Sequence, residues 1–162
     1  MIGNARGRGR ERGFTLIEVV CCSAIILVLA SAAIPVANTW VKRRKELELR
    51  QALREIRTAI DRFQFDAEHI QSMNQKLNGT NEDHYPEKLE WLYQGFDTGQ
   101  LPEVKVKYLR RLPRDPITGT DDWGTRSSRD KPGSFTTDGL NIFDIHTKSK
   151  AIALDGTPYA KW

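Results

Sequence analysis

The sequence has few of the residues that build catalytic and metal sites. Its three histidines, His69, His84 and His146, are far apart, and none has a cysteine or second histidine at zinc-ligand spacing. We expect a surface or capping role for each. The motifs Gly-x-Ser-x-Gly and His-Glu-x-x-His and the glycine-rich phosphate loop do not occur. The sequence therefore predicts a protein that is not an enzyme.

Cysteine is scarce and is confined to one place. The two cysteines, Cys21 and Cys22, are adjacent within an apolar run. Neighbouring cysteines on a helix point in different directions and cannot easily bridge each other. We expect both to pack as small apolar residues and the C-terminal part to fold without a disulfide.

Charge is missing from a long stretch near the N-terminus. Residues Val19–Val41 carry no charged side chain, and as a helix they span roughly 35 Å, enough for the ~30 Å hydrocarbon core of a bilayer. The preceding charges are four arginines and one glutamate: Arg6, Arg8, Arg10, Arg12 and Glu11. This asymmetry predicts a membrane helix over 14–41 with a cytoplasmic N-terminus. A secretory signal cleaved near Ala30-Ser31-Ala32 is the alternative.

Two residues interrupt the apolar character of this helix. Glu18 is costly near the start of a membrane helix, which suggests a partner for its carboxylate. If the chain were cut after Gly13, the new α-amino group on Phe14 would lie one helical turn from Glu18, in the same or a neighbouring copy. Alternatively, Glu18 lies among lipid headgroups. Pro35 either kinks the helix or is tolerated, as prolines often are in membrane helices.

The segment Gly13-Phe14-Thr15-Leu16-Ile17-Glu18, between a basic leader and a long apolar run, resembles the class III signal of type IV pilins and type II secretion pseudopilins. The resemblance implies that a prepilin peptidase cleaves between Gly13 and Phe14 and methylates the amino group of Phe14. It also implies that Glu18 supports subunit addition and that local melting near Pro35 helps filament packing.

The next stretch, 42–73, predicts an amphipathic helix. An apolar stripe recurs at alternating spacings of four and three residues: Leu49, Leu53, Ile56, Ile60, Phe63, Ala67 and Ile70. Charged residues, Arg57 among them, are expected on the opposite face, towards solvent. We expect the stripe to dock onto the chain's own small domain, with packing between subunits as the alternative. The basic block 42–45 is expected to face headgroups, then acids of a neighbouring copy such as Glu46 or Glu48.

Residues 74–162 predict a small periplasmic domain. After a polar stretch at 74–84, Pro86 precedes a short helix, Glu87 to about Gln94, and a loop from Gly95 to Pro102. Short strands are expected at about 121–125, 140–146 and 151–154, with Tyr159 and Trp162 beneath the sheet. The fold class is thus α+β and type IV pilin-like, with a long N-terminal helix packed on a small antiparallel β-sheet domain.

Within this domain, Tyr108-Leu109-Arg110-Arg111-Leu112-Pro113-Arg114-Asp115-Pro116 resembles a run of the major pseudopilins. Asp115 is expected to cap nearby backbone amides. The resemblance also makes calcium the one candidate cofactor, with Asp138, Asp144 and Asp155 as candidate ligands in glycine-rich loops. The family's ligand spacing cannot be matched residue by residue here, so turn and cap roles are the favoured interpretation of these aspartates and calcium is the alternative.

The function expected from these features is a structural subunit of a type II secretion pseudopilus. The leader 1–13 would be removed, and the expected partners are other copies of the chain, the prepilin peptidase, minor pseudopilins, the inner-membrane assembly platform and the membrane. Most of the net charge of +4 lies in the leader, so no nucleic-acid partner is predicted. A type IV pilin and a non-polymerising, signal-anchored periplasmic binding module are the alternatives.

Overall fold

The computed structural model describes residues 13–72, 82–97, 105–131, 134 and 137–162. The predictions for the leader before Gly13 and for most of the polar stretch after the long helix lie outside these residues. The chain divides into two compact units, one ending at Val41 and the other beginning at Lys42.

The long helix α1 comprises Leu16–Ser72. It begins two residues later than predicted, because the Thr15 hydroxyl accepts a hydrogen bond from the backbone N–H of Glu18 at 3.3 Å and so caps the first turn. The helix continues through Pro35, and the Thr39 hydroxyl donates to the Pro35 carbonyl at 3.0 Å. The sequence-based expectation of one long helix is therefore confirmed.

The apolar stripe forms the centre of the core in the C-terminal unit. Its members from Leu49 to Ala67 are each at most 3% exposed. They share one cluster with apolar residues from the rest of the unit: Leu92, Phe96, Leu109, Trp123, Ile142, Ile145, Ala153 and Tyr159. The stripe therefore docks onto the chain's own small domain, as predicted.

A short helix and a first pair of strands follow α1. Helix α2 comprises Glu90–Gln94, not the predicted Glu87–Gln94. Lys88 and Leu89 instead accept the tighter i+3 hydrogen bonds of a 3-10 turn, and the Pro86 carbonyl accepts the Ile142 N–H at 2.8 Å. The predicted loop from Gly95 is also wrong in part, since strands β1 (Phe96–Asp97) and β2 (Lys105–Val106) pair antiparallel.

A second antiparallel pair is formed by β3 (Gly124–Arg126) and β4 (Asp144–His146), with Thr125 opposite Ile145. Both strands are shorter than the sequence predicted. The Phe143 N–H still donates to Arg126 of β3 at 2.8 Å, but the Ile142 N–H donates to Pro86 instead, so the pairing does not continue towards Leu140. The predicted strand 151–154 is an isolated bridge between Ile152 and Pro158, followed by a 3-10 helix, Tyr159–Lys161, in which Tyr159 is buried.

Candidate functional site

The predicted processing site is open to solvent. Gly13 and Phe14 precede α1, and the Phe14 side chain is 82% exposed. A Cβ built on Gly13 would meet no atom within 4 Å. The peptide bond between the two residues is therefore in an irregular, accessible segment, which is the geometry that a peptidase needs.

Glu18 lies exposed in the first turn of α1. A carboxylate at this end of a helix interacts favourably with the unpaired N–H groups of the first turn. Among the described residues, no basic side chain forms an ion pair with Glu18.

The first half of α1 presents apolar side chains to its surroundings. Its most apolar 18-residue window has a mean hydropathy of 2.6 and no buried residue, which by length and composition suits a membrane span. Large side chains such as Leu27 and Val28 are about as exposed as on an isolated helix. Both cysteines are free and exposed on the same segment.

The basic block at 42–45 marks the change to polar surroundings. Arg44 pairs with Glu48 across one helical turn at 3.0 Å. The neighbouring Glu46, expected to face another copy, is instead buried, and its Oε1 accepts hydrogen bonds from the Leu154 N–H at 2.7 Å and the Tyr159 hydroxyl at 2.9 Å. Burial, with the hydrogen bond to Glu46, raises the pKa of Tyr159 to about 12.

The segment 108–116 forms hydrogen bonds with α1 at its first residue and with the residue after β4 near its end. The Tyr108 hydroxyl donates to Asp66 on α1 at 3.1 Å, and burial raises the pKa of Tyr108 well above its usual range. At the other end, buried Asp115 accepts the Ile117 N–H at 2.8 Å and the Thr147 hydroxyl. The expectation that Asp115 caps local amides is confirmed.

The three aspartates named as candidate calcium ligands are engaged separately. Asp138 Oδ1 accepts the Leu140 N–H at 3.0 Å, and Asp155 Oδ1 accepts the Thr157 N–H at 2.9 Å. The hydrogen bonds from Thr157 lower the pKa of Asp155. Asp144 pairs with two arginines. In the described part of the chain, no three His, Cys, Asp or Glu side chains are gathered for a metal, so these residues do not fit a shared calcium cage. Calcium stays a sequence-based prediction.

Sequence reasoning missed two arginines and misjudged one histidine. Arg57, assigned to the solvent face of α1, is half-buried, and its Nε donates to Asp144 Oδ1 at 2.7 Å. Arg126 pairs with the other carboxylate oxygen of Asp144 at 3.4 Å. His146, expected at the surface, is buried against Gly124, where a Cβ would collide with its ring. The one available signal was that Arg57 flanks the apolar stripe.

Comparison with known proteins gives two kinds of match. A family model described as the prokaryotic N-terminal methylation motif matches residues 8–34. Type II secretion system core protein G of Pectobacterium carotovorum subsp. carotovorum is 29% identical over 141 residues, which cover 84% of this chain and 76% of that protein. The protein of the same name from Escherichia coli (strain K12) is 28% identical over 131 residues, covering 79% and 77%. No solved structure matches.

Proposed function

We propose that this chain, a pseudopilin-like protein with an N-terminal methylation motif, is a structural subunit of a type II secretion pseudopilus. The observation that carries the proposal is how much of the chain is similar to core protein G. The methylation motif ends at residue 34, whereas the likeness to core protein G covers 84% of the chain and so includes most of the small domain. We propose no enzymatic activity and no nucleic-acid partner for it.

The first step of the proposed pathway is processing. A prepilin peptidase would cleave between Gly13 and Phe14 and methylate the new amino group. Support comes from the matched motif and from the accessible, irregular backbone at this bond. Intact mass of the chain purified from cells should correspond to one beginning at Phe14 with one added methyl group; a mature chain beginning at any other residue would contradict this step.

The second step is storage in the inner membrane. The first half of α1 would span the bilayer once, with the leader in the cytoplasm and the small domain in the periplasm. The exposed apolar surface and its hydropathy support this placement, because so long an apolar surface is rare outside a membrane or an interface.

The third step is assembly. Copies of the chain would leave the membrane and pack their apolar helices together in a periplasmic filament, aided by minor pseudopilins and the inner-membrane assembly platform. The new amino group of one copy would pair with the Glu18 carboxylate of another. Glu18 supports this role because it is exposed and forms no ion pair with the described residues of its own chain.

A deletion strain tests the proposal as a whole, with secreted proteins and surface filaments scored in the same cultures. We expect exported proteins to accumulate in the periplasm while surface pili persist, and plasmid-borne wild-type chain to restore secretion. Loss of pili and twitching with normal secretion would instead identify a type IV pilin. Normal secretion and normal pili would favour an anchored periplasmic module that does not polymerise.

A further inference from the structure

Two arginines converge on Asp144 and on backbone carbonyls from separate segments. Arg57 donates from Nε to Asp144 Oδ1 at 2.7 Å and from one terminal nitrogen to the carbonyls of Ile145 at 3.1 Å and Trp162 at 2.8 Å. The Arg57 side chain comes from α1, whereas Asp144 and Ile145 belong to β4. One guanidinium thus joins α1, β4 and the C-terminal segment.

Arg126, on β3, completes the arrangement. It donates from Nε to the Ser134 carbonyl at 3.0 Å and from a terminal nitrogen to the Ala160 carbonyl at 3.0 Å. Its other terminal nitrogen lies 3.4 Å from Asp144 Oδ2. The side chains of Arg126 and Asp144 are only 16% and 23% exposed, so this pair is shielded from bulk water.

Among the described residues, the two arginines donate to six oxygens: both carboxylate oxygens of Asp144 and the backbone oxygens of Ser134, Ile145, Ala160 and Trp162. Carboxylate and carbonyl oxygens, typically six to eight of them, are also the ligands that calcium prefers. The two guanidinium groups bring the same total charge as one calcium ion. Unlike a calcium ion, they are covalently part of the chain and present their donors in a fixed planar geometry.

We infer that Arg57 and Arg126 take the place of a bound cation in this domain. They form an arginine clamp with Asp144 that fixes β3, β4 and the C-terminal 3-10 helix to α1 without a metal. Both oxygens of Asp144 already accept from a guanidinium, and the carboxylates of Asp138 and Asp155 bond to their own turns. The clamp therefore makes the fold independent of calcium.

Thermal unfolding of the full chain in detergent, followed by tryptophan fluorescence, tests the clamp. A ligand that binds only the folded state must raise the midpoint Tm. We expect the same Tm for the wild-type chain in millimolar calcium and in excess chelator. A rise of Tm with calcium that chelator reverses would overturn the inference.

The variant Asp144→Asn gives a second, independent readout. We expect it to raise the unfolding equilibrium constant by at least roughly tenfold, since hydrogen bonds to charged groups are among the stronger ones, and by the same factor in calcium and in chelator. Asp138→Asn is the matched control, because its carboxylate serves an exposed turn, and we expect less than about a twofold change. A loss for Asp144→Asn that appears only with calcium, or equal losses for both variants, would refute the clamp.

A double-mutant cycle tests whether Arg57 and Asp144 act together. We expect the effects of Arg57→Gln and Asp144→Asn to be non-additive, with the double variant within about twofold of the more damaging single one. Fully additive effects would show that the two side chains stabilise the domain separately.

Discussion

Both halves of α1 are helical, but only the second half is covered by other residues of the chain. Before Lys42, large apolar side chains such as Leu27 are about two-thirds exposed, whereas in the second half Ile56 is fully buried by the chain's own domain. Apart from Glu18, the first half carries no charged residue, whereas in the second half charged residues alternate with the apolar stripe. The comparison teaches that one helix can carry two kinds of apolar surface, one covered by the chain's own domain and one that the domain leaves exposed.

Because of this difference in burial, we expect substitutions in the two halves to affect different properties. Changes in the first half are expected to alter insertion or assembly and to leave the fold of the domain intact. Changes in the second half are expected to lower the free energy of unfolding. The following experiments test that division.

The largest effect is expected at Glu18, in the half whose apolar surface the domain leaves exposed. Replacing Glu18 by Ala removes the carboxylate proposed to pair with the amino end of another copy, so filaments should be lost. Membrane insertion and the thermal midpoint of the domain should not change. Filament yield after shearing, membrane fractionation and Tm measure the three properties.

Glu18→Asp is the matched control, because it keeps the charge and should retain more assembly than Glu18→Ala. Normal filaments from the alanine variant would show that the carboxylate is not needed. A lower domain Tm in Glu18→Ala would contradict the proposal that changes in the first half leave the fold of the domain intact.

In the second half, two phenylalanines two residues apart provide a direct comparison. Phe63 is 1% exposed and packs edge-on against Phe96 and Tyr108, whereas Phe65 is 57% exposed. We expect Phe63→Ala to lower the free energy of unfolding by about 3–5 kcal/mol and Phe65→Ala to change it by less than about 0.5 kcal/mol. Denaturant unfolding of both variants measures this, and similar losses would contradict the burial pattern of the helix.

A smaller effect is expected from two glutamates near the start of the second half. Glu46→Ala leaves the Leu154 N–H and the buried Tyr159 hydroxyl without their acceptor, at a cost of about 1–3 kcal/mol. Glu48→Ala removes only an exposed ion pair with Arg44, worth less than about 1 kcal/mol. Equal losses in the unfolding free energy would mean that the Glu46 contacts do not stabilise the domain.

The smallest effect is a pH dependence of stability that Tyr159 should confer. Its pKa is raised to about 12 in the fold, whereas an unfolded tyrosine titrates near 10, so the fold favours the neutral phenol. That contribution is complete below pH 10 and is lost as the pH rises from about 10 to 12. Relative to wild type, Tyr159→Phe should lose about 1–2 kcal/mol less stability across this interval; parallel stability curves for the two proteins would exclude the effect.

The sequence predicted the helix and its buried face well, because both follow from local periodicity. A spacing of three and four residues places Leu49, Leu53 and Ile56 on one side whatever they pack against. The capping role of Asp115 was equally local, since it depends on amides two and three residues away.

The strand pairing, the strand lengths and the Arg57–Asp144 pair depend on contacts between residues that are distant in sequence. The pairing of Phe96 with Val106 and the shortening of β4 are set by hydrogen bonds that no local pattern records. The Arg57–Asp144 pair joins residues 87 positions apart, so a half-buried arginine could not be told from an exposed one. The calcium prediction rests on residue type, and residue type alone does not show whether an aspartate already has hydrogen-bond partners.

The hydrogen bond from Tyr159 to Glu46 has a consequence for the order of events during synthesis. The two residues are 113 positions apart, and the apolar stripe beyond Glu46 is covered by segments as late as Tyr159. The helix therefore leaves the ribosome well before the residues that cover it, and loop closure over such a distance is slow compared with helix formation. The domain can close only after Tyr159 has been made, whereas the helix that it covers can form much earlier.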